Sequence, residues 1–188
     1  MITIIPKEKI RRVDLYVNTG KKSMSRIKRE LGCDYIINGG LFHTDTFTPA
    51  GYLTSNGKVL EEVANPFGFA INKDKMVFSY GNNVNYPDFL GCYHVLVRDG
   101  EIAIAQSESN KYGYTKRTAI GLTRDGSIVL LCDQTNRSLY GIAGELIDAG
   151  CDVALNYDGG GSTQAIFDKK RMTSSRIVHN FLCVWTED

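Results

Sequence analysis

The sequence predicts an α+β fold, with a single domain over residues 1–188. Its core would be a large, mainly antiparallel or mixed β-sheet with helices packed against it. Three observations carry this expectation. Runs such as Val13-Asp14-Leu15-Tyr16-Val17 alternate apolar and polar residues, the period of a half-buried strand. Turn signals separate the runs, among them Asn56-Gly57, Asp99-Gly100 and Asp125-Gly126. Only two segments, 23–31 and 138–149, show a helical pattern.

The elements follow in order. Val13–Val17 reads as a strand. Ser23 stands where a helix N-cap belongs, and Gly32 stops that helix after Leu31. Asp34-Tyr35-Ile36-Ile37 reads as a strand that runs straight into Asn38-Gly39-Gly40. Residues 43–66 read as a loop holding a small hairpin, Tyr52–Thr54 against Lys58–Leu60. Further strands are expected near 67–71, 76–80, 92–97 and 101–105. The polar, Tyr- and Ser-rich segment 106–116 reads as a mobile loop or flap. Arg117–Leu122 and Ile128–Cys132 form the next strand pair. In 138–149, Leu139, Ile142, Ala143, Leu146 and Ile147 fall on one helical face, and Gly150 ends the helix. Val153–Tyr157, Gln164–Phe167 and Asn180–Trp185 complete the sheet.

A chain of 188 residues buries enough surface to hold a core without metal or disulfide. Net charge is +1, with 43% hydrophobic and 23% charged residues. That balance gives no reason to expect a nucleic-acid partner or a membrane surface. The five cysteines include no C-x-x-C pair, and several lie in apolar runs, so they read as buried free thiols of a reducing compartment. The apolar start, Met1 to Pro6, is too short for a signal peptide. The expectation is a cytoplasmic, soluble chain. Oligomeric state carries no sequence signal.

The most informative stretch is Asn156-Tyr157-Asp158-Gly159-Gly160-Gly161-Ser162-Thr163-Gln164. Three glycines together are entropically costly. They suit a backbone that must approach something closely. Asn38-Gly39-Gly40 is a second turn of the same kind. Both could present N–H donors to an anion, although neither is a dinucleotide fingerprint or a P-loop. No G-x-S-x-G is present, and His43, His94 and His179 lie far apart. Glu145 and Asp158 are the carboxylates that could share acid/base work. Against that, Glu145 also reads as a solvent-facing helix residue. Arg117, at the mouth of an apolar strand, suits a phosphate or serves as an edge-strand charge.

These pieces together resemble the phosphodiester glycosidase domain family. The resemblance rests on Ile37-Asn38-Gly39-Gly40-Leu41-Phe42, Arg117-Thr118-Ala119-Ile120-Gly121, Gly144-Glu145-Leu146 and Asn156 to Thr163, in that order. Val95 to Glu101 and Arg176 to Asn180 also fit, so the likeness covers about residues 10–186. The family includes a lysosomal N-acetylglucosamine-1-phosphodiester α-N-acetylglucosaminidase and many bacterial and phage domains, so a bacterial or phage-type origin fits. The sequence departs from the family pattern at Leu41, at Cys132-Asp133-Gln134-Thr135 and at Ile177, and these departures bear on the substrate more than on the fold.

The resemblance implies a hydrolase acting on the sugar C1–O bond of a small-molecule or glycan sugar-1-phosphodiester. Glu145, Asp158 and Arg117 would be catalytic. Asn38, Gly39, Gly40, Asp133, Gly159, Gly160, Gly161, Ser162, Thr163, Arg176 and Asn180 would bind substrate. No cofactor is implied with certainty. A divalent metal could sit where Asp133, Glu145 and Asp158 converge with backbone carbonyls. Two alternatives stand beside this reading: a module that sequesters a phosphorylated sugar or nucleotide-like ligand intact, and a phosphodiesterase that breaks the P–O bond.

Overall fold

The computed structural model describes residues 1–64, 66–81 and 85–187. Position 65 of the predicted 43–66 loop lies outside the described residues. Among the described residues the chain is more β-rich than expected, with 48% in strands and three short helices. In place of one large sheet there are three, together with a two-stranded ribbon, Phe42–His43 with Thr48–Pro49. Every strand pairing among the described residues is antiparallel.

The six-stranded sheet runs Ile2–Ile5, Ile128–Arg137, Thr115–Thr123, Cys151–Asn156, His94–Arg98, Glu101–Ile102. One five-stranded sheet runs Lys170–Met172, Ala165–Phe167, Tyr35–Asn38, Asn180–Thr186, Ile10–Val17. The other runs Lys58–Glu61, Leu53–Ser55, Asp88–Gly91, Phe67–Asn72, Lys75–Tyr80.

Alternation along the strands decides the layers. Ile120, Leu122, Leu130 and Leu155 face a central core, where they meet Val13, Ile37 and Leu182 of the second sheet and Phe69, Ile71 and Leu90 of the third. The intervening residues Ala119, Val129, Leu131 and Ala154 face the other way, onto a helix, Leu139–Asp148. On the far side of the second sheet, Phe181, Cys183 and Trp185 cover the helix Met24–Leu31. We call these helices α1 (Met24–Leu31), α2 (Gln106–Lys111) and α3 (Leu139–Asp148). α3 buries Leu139, Ile142, Ala143 and Leu146. Truncating one of its leucines would cost about 2–5 kcal/mol.

The local signals hold where they are short-range. Asn56 and Gly57 both take positive φ, as a two-residue hairpin turn requires. Gly32 is left-handed and its N–H bonds Lys28 O. The Ser138 hydroxyl caps α3 by accepting from Gly141 N–H at 3.0 Å. By contrast, Ser23 makes no side-chain capping bond.

Two local expectations are corrected. The predicted loop 106–116 contains α2, which no apolar stripe announces. Its buried residue is Ser109, whose hydroxyl accepts from Tyr140 N–H at 2.9 Å and so ties α2 to α3. The strand expected over 101–105 shrinks to Glu101–Ile102. All five cysteines are free thiols, with Cys92 half-buried and the rest buried. Among the described residues no helix is long and apolar enough to cross a membrane.

Candidate active site

The glycine run is not a hairpin turn. It carries the chain from Cys151–Asn156 in the six-stranded sheet to Ala165–Phe167 in a five-stranded one, with a short 3-10 turn at Gly160–Ser162. Asn38, fully buried, holds this crossover. Its Nδ2 donates to Asp158 O at 2.7 Å, and its Oδ1 accepts from Thr118 Oγ1 at 2.9 Å and from Gln164 N at 3.0 Å. Asp158 N–H donates to Gly39 O at 3.1 Å, so the two glycine turns are directly bonded. Asn180 in turn grips the first of them, accepting from Gly40 N at 2.7 Å. A Cβ on Gly39 would lie 2.2 Å from Asn180 Oδ1. Asn38 and Asn180, expected to meet sugar hydroxyls, therefore spend their amides inside the protein.

A cavity of about 480 Å³ opens beside this joint. Gly40, Gly159, Gly160, Gly161, Arg117 and Arg176 are the predicted residues that line it. Arg117 is 5% exposed. It donates to Arg137 O at 2.9 Å, Tyr112 O at 3.2 Å and Gly113 O at 2.7 Å. Burial lowers its pKa, but a guanidinium keeps its charge at neutral pH. Arg176 is exposed. Its Nη1 donates to Ser162 Oγ at 3.2 Å. The Arg176 guanidinium rests against Gly161, where a Cβ would come within 2.7 Å of Cζ. Neither arginine has an acidic partner among the described residues. Two cations that line one cavity without a salt bridge favour an anion.

Asp158 is 9% exposed and does not itself line the cavity; its chain neighbours Tyr157 and Gly159 do. Burial raises its pKa; the Ser162 hydroxyl, the nearby Arg176 charge and the Gly159 N–H oppose that rise. The carboxylate is thus held near one of the two cations. The Thr163 hydroxyl is buried without a partner among the described residues.

Glu145 and Asp133 are placed elsewhere. Glu145 pairs with Arg137, whose Nη1 also donates to Asp133 Oδ2 at 2.9 Å. Asp133 Oδ1 takes two more bonds from Thr135. Neither acid lines the cavity. Arg137 ends its strand just before α3, so it reaches both acids. The metal convergence of Asp133, Glu145 and Asp158 does not form. Among the described residues, no group of three or more His, Cys, Asp or Glu is placed to hold an ion.

A profile of the phosphodiester glycosidase family matches residues 31–185. The chain belongs to the phosphodiester glycosidase family. The zebrafish N-acetylglucosamine-1-phosphodiester α-N-acetylglucosaminidase catalytic domain, auto-inhibited by its pro-peptide, is similar in structure. The TM-score is 0.79 at 22% identity, over 99% of this chain and 76% of that one. A hypothetical protein from Synechocystis superposes with TM-score 0.80 at 15% identity, over 99% of this chain and 59% of that one. A Burkholderia pseudomallei protein described as exported gives 0.71 at 11% identity, over 98% and 73%. At these identities the likeness is one of fold. Among curated proteins none matches this chain.

This phosphodiester glycosidase-family cavity also holds residues that sequence reasoning passed over. His94, Asn156, Tyr93 and Tyr112 line it. Asn156 adjoins the glycine run and could have been included on that ground. His94 carries no local signal, because only strand register sets it opposite Asn156.

Proposed function

We propose that this chain hydrolyses the sugar C1–O bond of a sugar-1-phosphodiester bound in the Arg117–Arg176 cavity. The observation that carries the proposal is the pair of guanidiniums that line one cavity without a salt bridge, one of them near the buried Asp158. The phosphodiester anion lies between Arg117 and Arg176, beside the lining residues Gly159 to Gly161. Water attacks C1 and loses its proton to the Asp158 carboxylate. The C1–O bond breaks, and its electron pair leaves on the phosphate oxygen. The leaving phosphomonoester gains negative charge, which the two arginines stabilise more strongly than they do the diester. A phosphate leaves readily as it is, so the reaction needs less general-acid help than ordinary glycoside hydrolysis.

The test is sugar release from a panel of sugar-1-phosphodiesters, nucleotide sugars included. Wild type should turn over at least one of them, and Asp158→Asn should not. A panel wholly untouched by the wild type refutes the proposal. One observation favours a second reading: with Glu145 engaged by Arg137, a single predicted catalytic carboxylate remains beside the cavity. A sequestering module would bind the diester through the same arginines, and the ligand would be recovered chemically intact.

A further inference from the structure

Two of the tyrosines that line the cavity are open to water: Tyr93 is 60% exposed and Tyr112 is 42% exposed. His94, which also lines it, links them. The imidazole lies 5.3 Å from the Tyr93 ring and 4.3 Å from the Tyr112 ring between centroids, the second contact edge-on. Three rings therefore form one contiguous aromatic surface with accessible area at both ends. Clustered aromatic surface left exposed beside a cavity marks a place where something binds, unlike single exposed rings. Burial lowers the His94 pKa; the Glu108 charge opposes that and the Arg117 charge adds to it. The central ring is therefore neutral at pH 7. The surface adjoins one of the two cations, because Arg117 Nη2 donates to Tyr112 O at 3.2 Å. Arg176 belongs to the other end of the site, where its Nη1 donates to Ser162 Oγ and its charge acts on Asp158.

We propose that Tyr93 and Tyr112, joined through His94, form a stacking subsite for a planar aromatic base on the leaving arm of the phosphodiester, so that the substrate class is a nucleotide-linked sugar. This rests on the reading of the cavity as a sugar-1-phosphodiester site and adds a direction to it: C1 toward Asp158 and Arg176, the leaving arm past Arg117 and onto the rings. A base stacks on a tyrosine ring through its π face and needs no hydrogen bond from it. A second sugar would need partners for several hydroxyls, and His94 Nδ1 is buried out of its reach. The rings are uncharged, so they leave the phosphate to the arginines.

The experiment measures binding of inorganic phosphate, ribose 5-phosphate, glucose 6-phosphate and the 5′-monophosphates of adenosine and uridine by calorimetry. Ribose 5-phosphate and the nucleotides differ only by the base. The wild type should bind at least one nucleotide about tenfold more tightly than ribose 5-phosphate, the worth of one base stacked on an aromatic side chain. Tyr93→Ala should erase most of that preference and leave ribose 5-phosphate binding unchanged; its side chain is exposed, so the variant should fold, which a thermal melt checks. Tyr93→Phe keeps the ring without the hydroxyl and should retain the preference. A preference that survives Tyr93→Ala, or that Tyr93→Phe loses as fully as Tyr93→Ala does, overturns the stacking subsite. If glucose 6-phosphate gains over inorganic phosphate through Tyr93 and neither nucleotide gains over ribose 5-phosphate, the rings receive a sugar face and the assignment to a base is overturned. If phosphate binds and no ring-bearing probe is preferred, only the subsite falls. If the wild type neither binds phosphate nor cleaves a diester, the reading of the cavity falls with it.

Discussion

The same substitution at two glycines of the site should have opposite consequences. A Cβ at Gly39 would lie 2.2 Å from Asn180 Oδ1 and 3.3 Å from Asn180 O. Asn180 cannot yield cheaply, because its Oδ1 already accepts from Gly40 N at 2.7 Å. Overpacking of this kind costs about 1–3 kcal/mol. For a chain of this size that is a fall in Tm of roughly 2–12 °C, at about 2–4 °C per kcal/mol. A Cβ at Gly161 would instead meet Arg176, 2.7 Å from Cζ and Nη2. That atom group is the far end of an exposed, flexible side chain, which can swing out to water. Gly161→Ala should therefore melt within about 2 °C of wild type, since surface changes of this kind stay within about 0.5 kcal/mol. It should nonetheless displace a guanidinium from the cavity. One charge-assisted hydrogen bond is worth about 1.5–3 kcal/mol, so phosphodiester affinity or kcat/KM should drop about tenfold to a hundredfold. Thermal melts and a sugar-release assay on the two variants decide the matter. If Gly161→Ala melts as low as Gly39→Ala while keeping full activity, Arg176 is not a ligand-binding residue and the reasoning fails.

Three further outcomes are expected. Burial raises the Asp158 pKa above 3.8, so its ionised form costs stability once the pH exceeds that value; Asp158→Asn should melt above wild type at pH 7, by a margin that shrinks as the pH falls through the raised value and closes below about 3.8. The same variant should be inactive, and a variant that melts below wild type at pH 7 would contradict the burial argument. Arg117→Met strips donors from three carbonyls and should lower Tm by roughly 2–12 °C while abolishing phosphate binding in calorimetry. Glu145→Gln weakens an ion pair whose acid is 42% exposed, worth about 1 kcal/mol or less; it should keep kcat within about threefold, and a loss of a hundredfold or more would return Glu145 to the chemistry.

What was legible in the sequence was what short-range physics dictates. Asn56-Gly57 could only turn, the Leu139 to Leu146 stripe could only be a helix face, and three glycines beside Asp158 marked a close approach. The sheet count was not legible. Ile2–Ile5 pairs with Val129 and its neighbours, more than a hundred positions away, and alternation says that a strand is half-buried without naming its partner. The same limit explains the site. Arg117, expected to be catalytic, and Arg176, expected to bind substrate, both line the cavity. Glu145 and Arg137 are eight positions apart, and their pairing depends on how the strand Ile128–Arg137 meets α3. His94 was invisible for the corresponding reason: it matters only through the register that sets it against Asn156. α2 was missed because its contact with α3 runs through a buried serine instead of an apolar stripe.

The most direct test of the central claim is hydrolysis of a sugar-1-phosphodiester in heavy-oxygen water, with both products analysed by mass. Attack at C1 predicts the label on the released sugar and none on the phosphomonoester. Label on the phosphate, or no turnover of any sugar-1-phosphodiester, would contradict it.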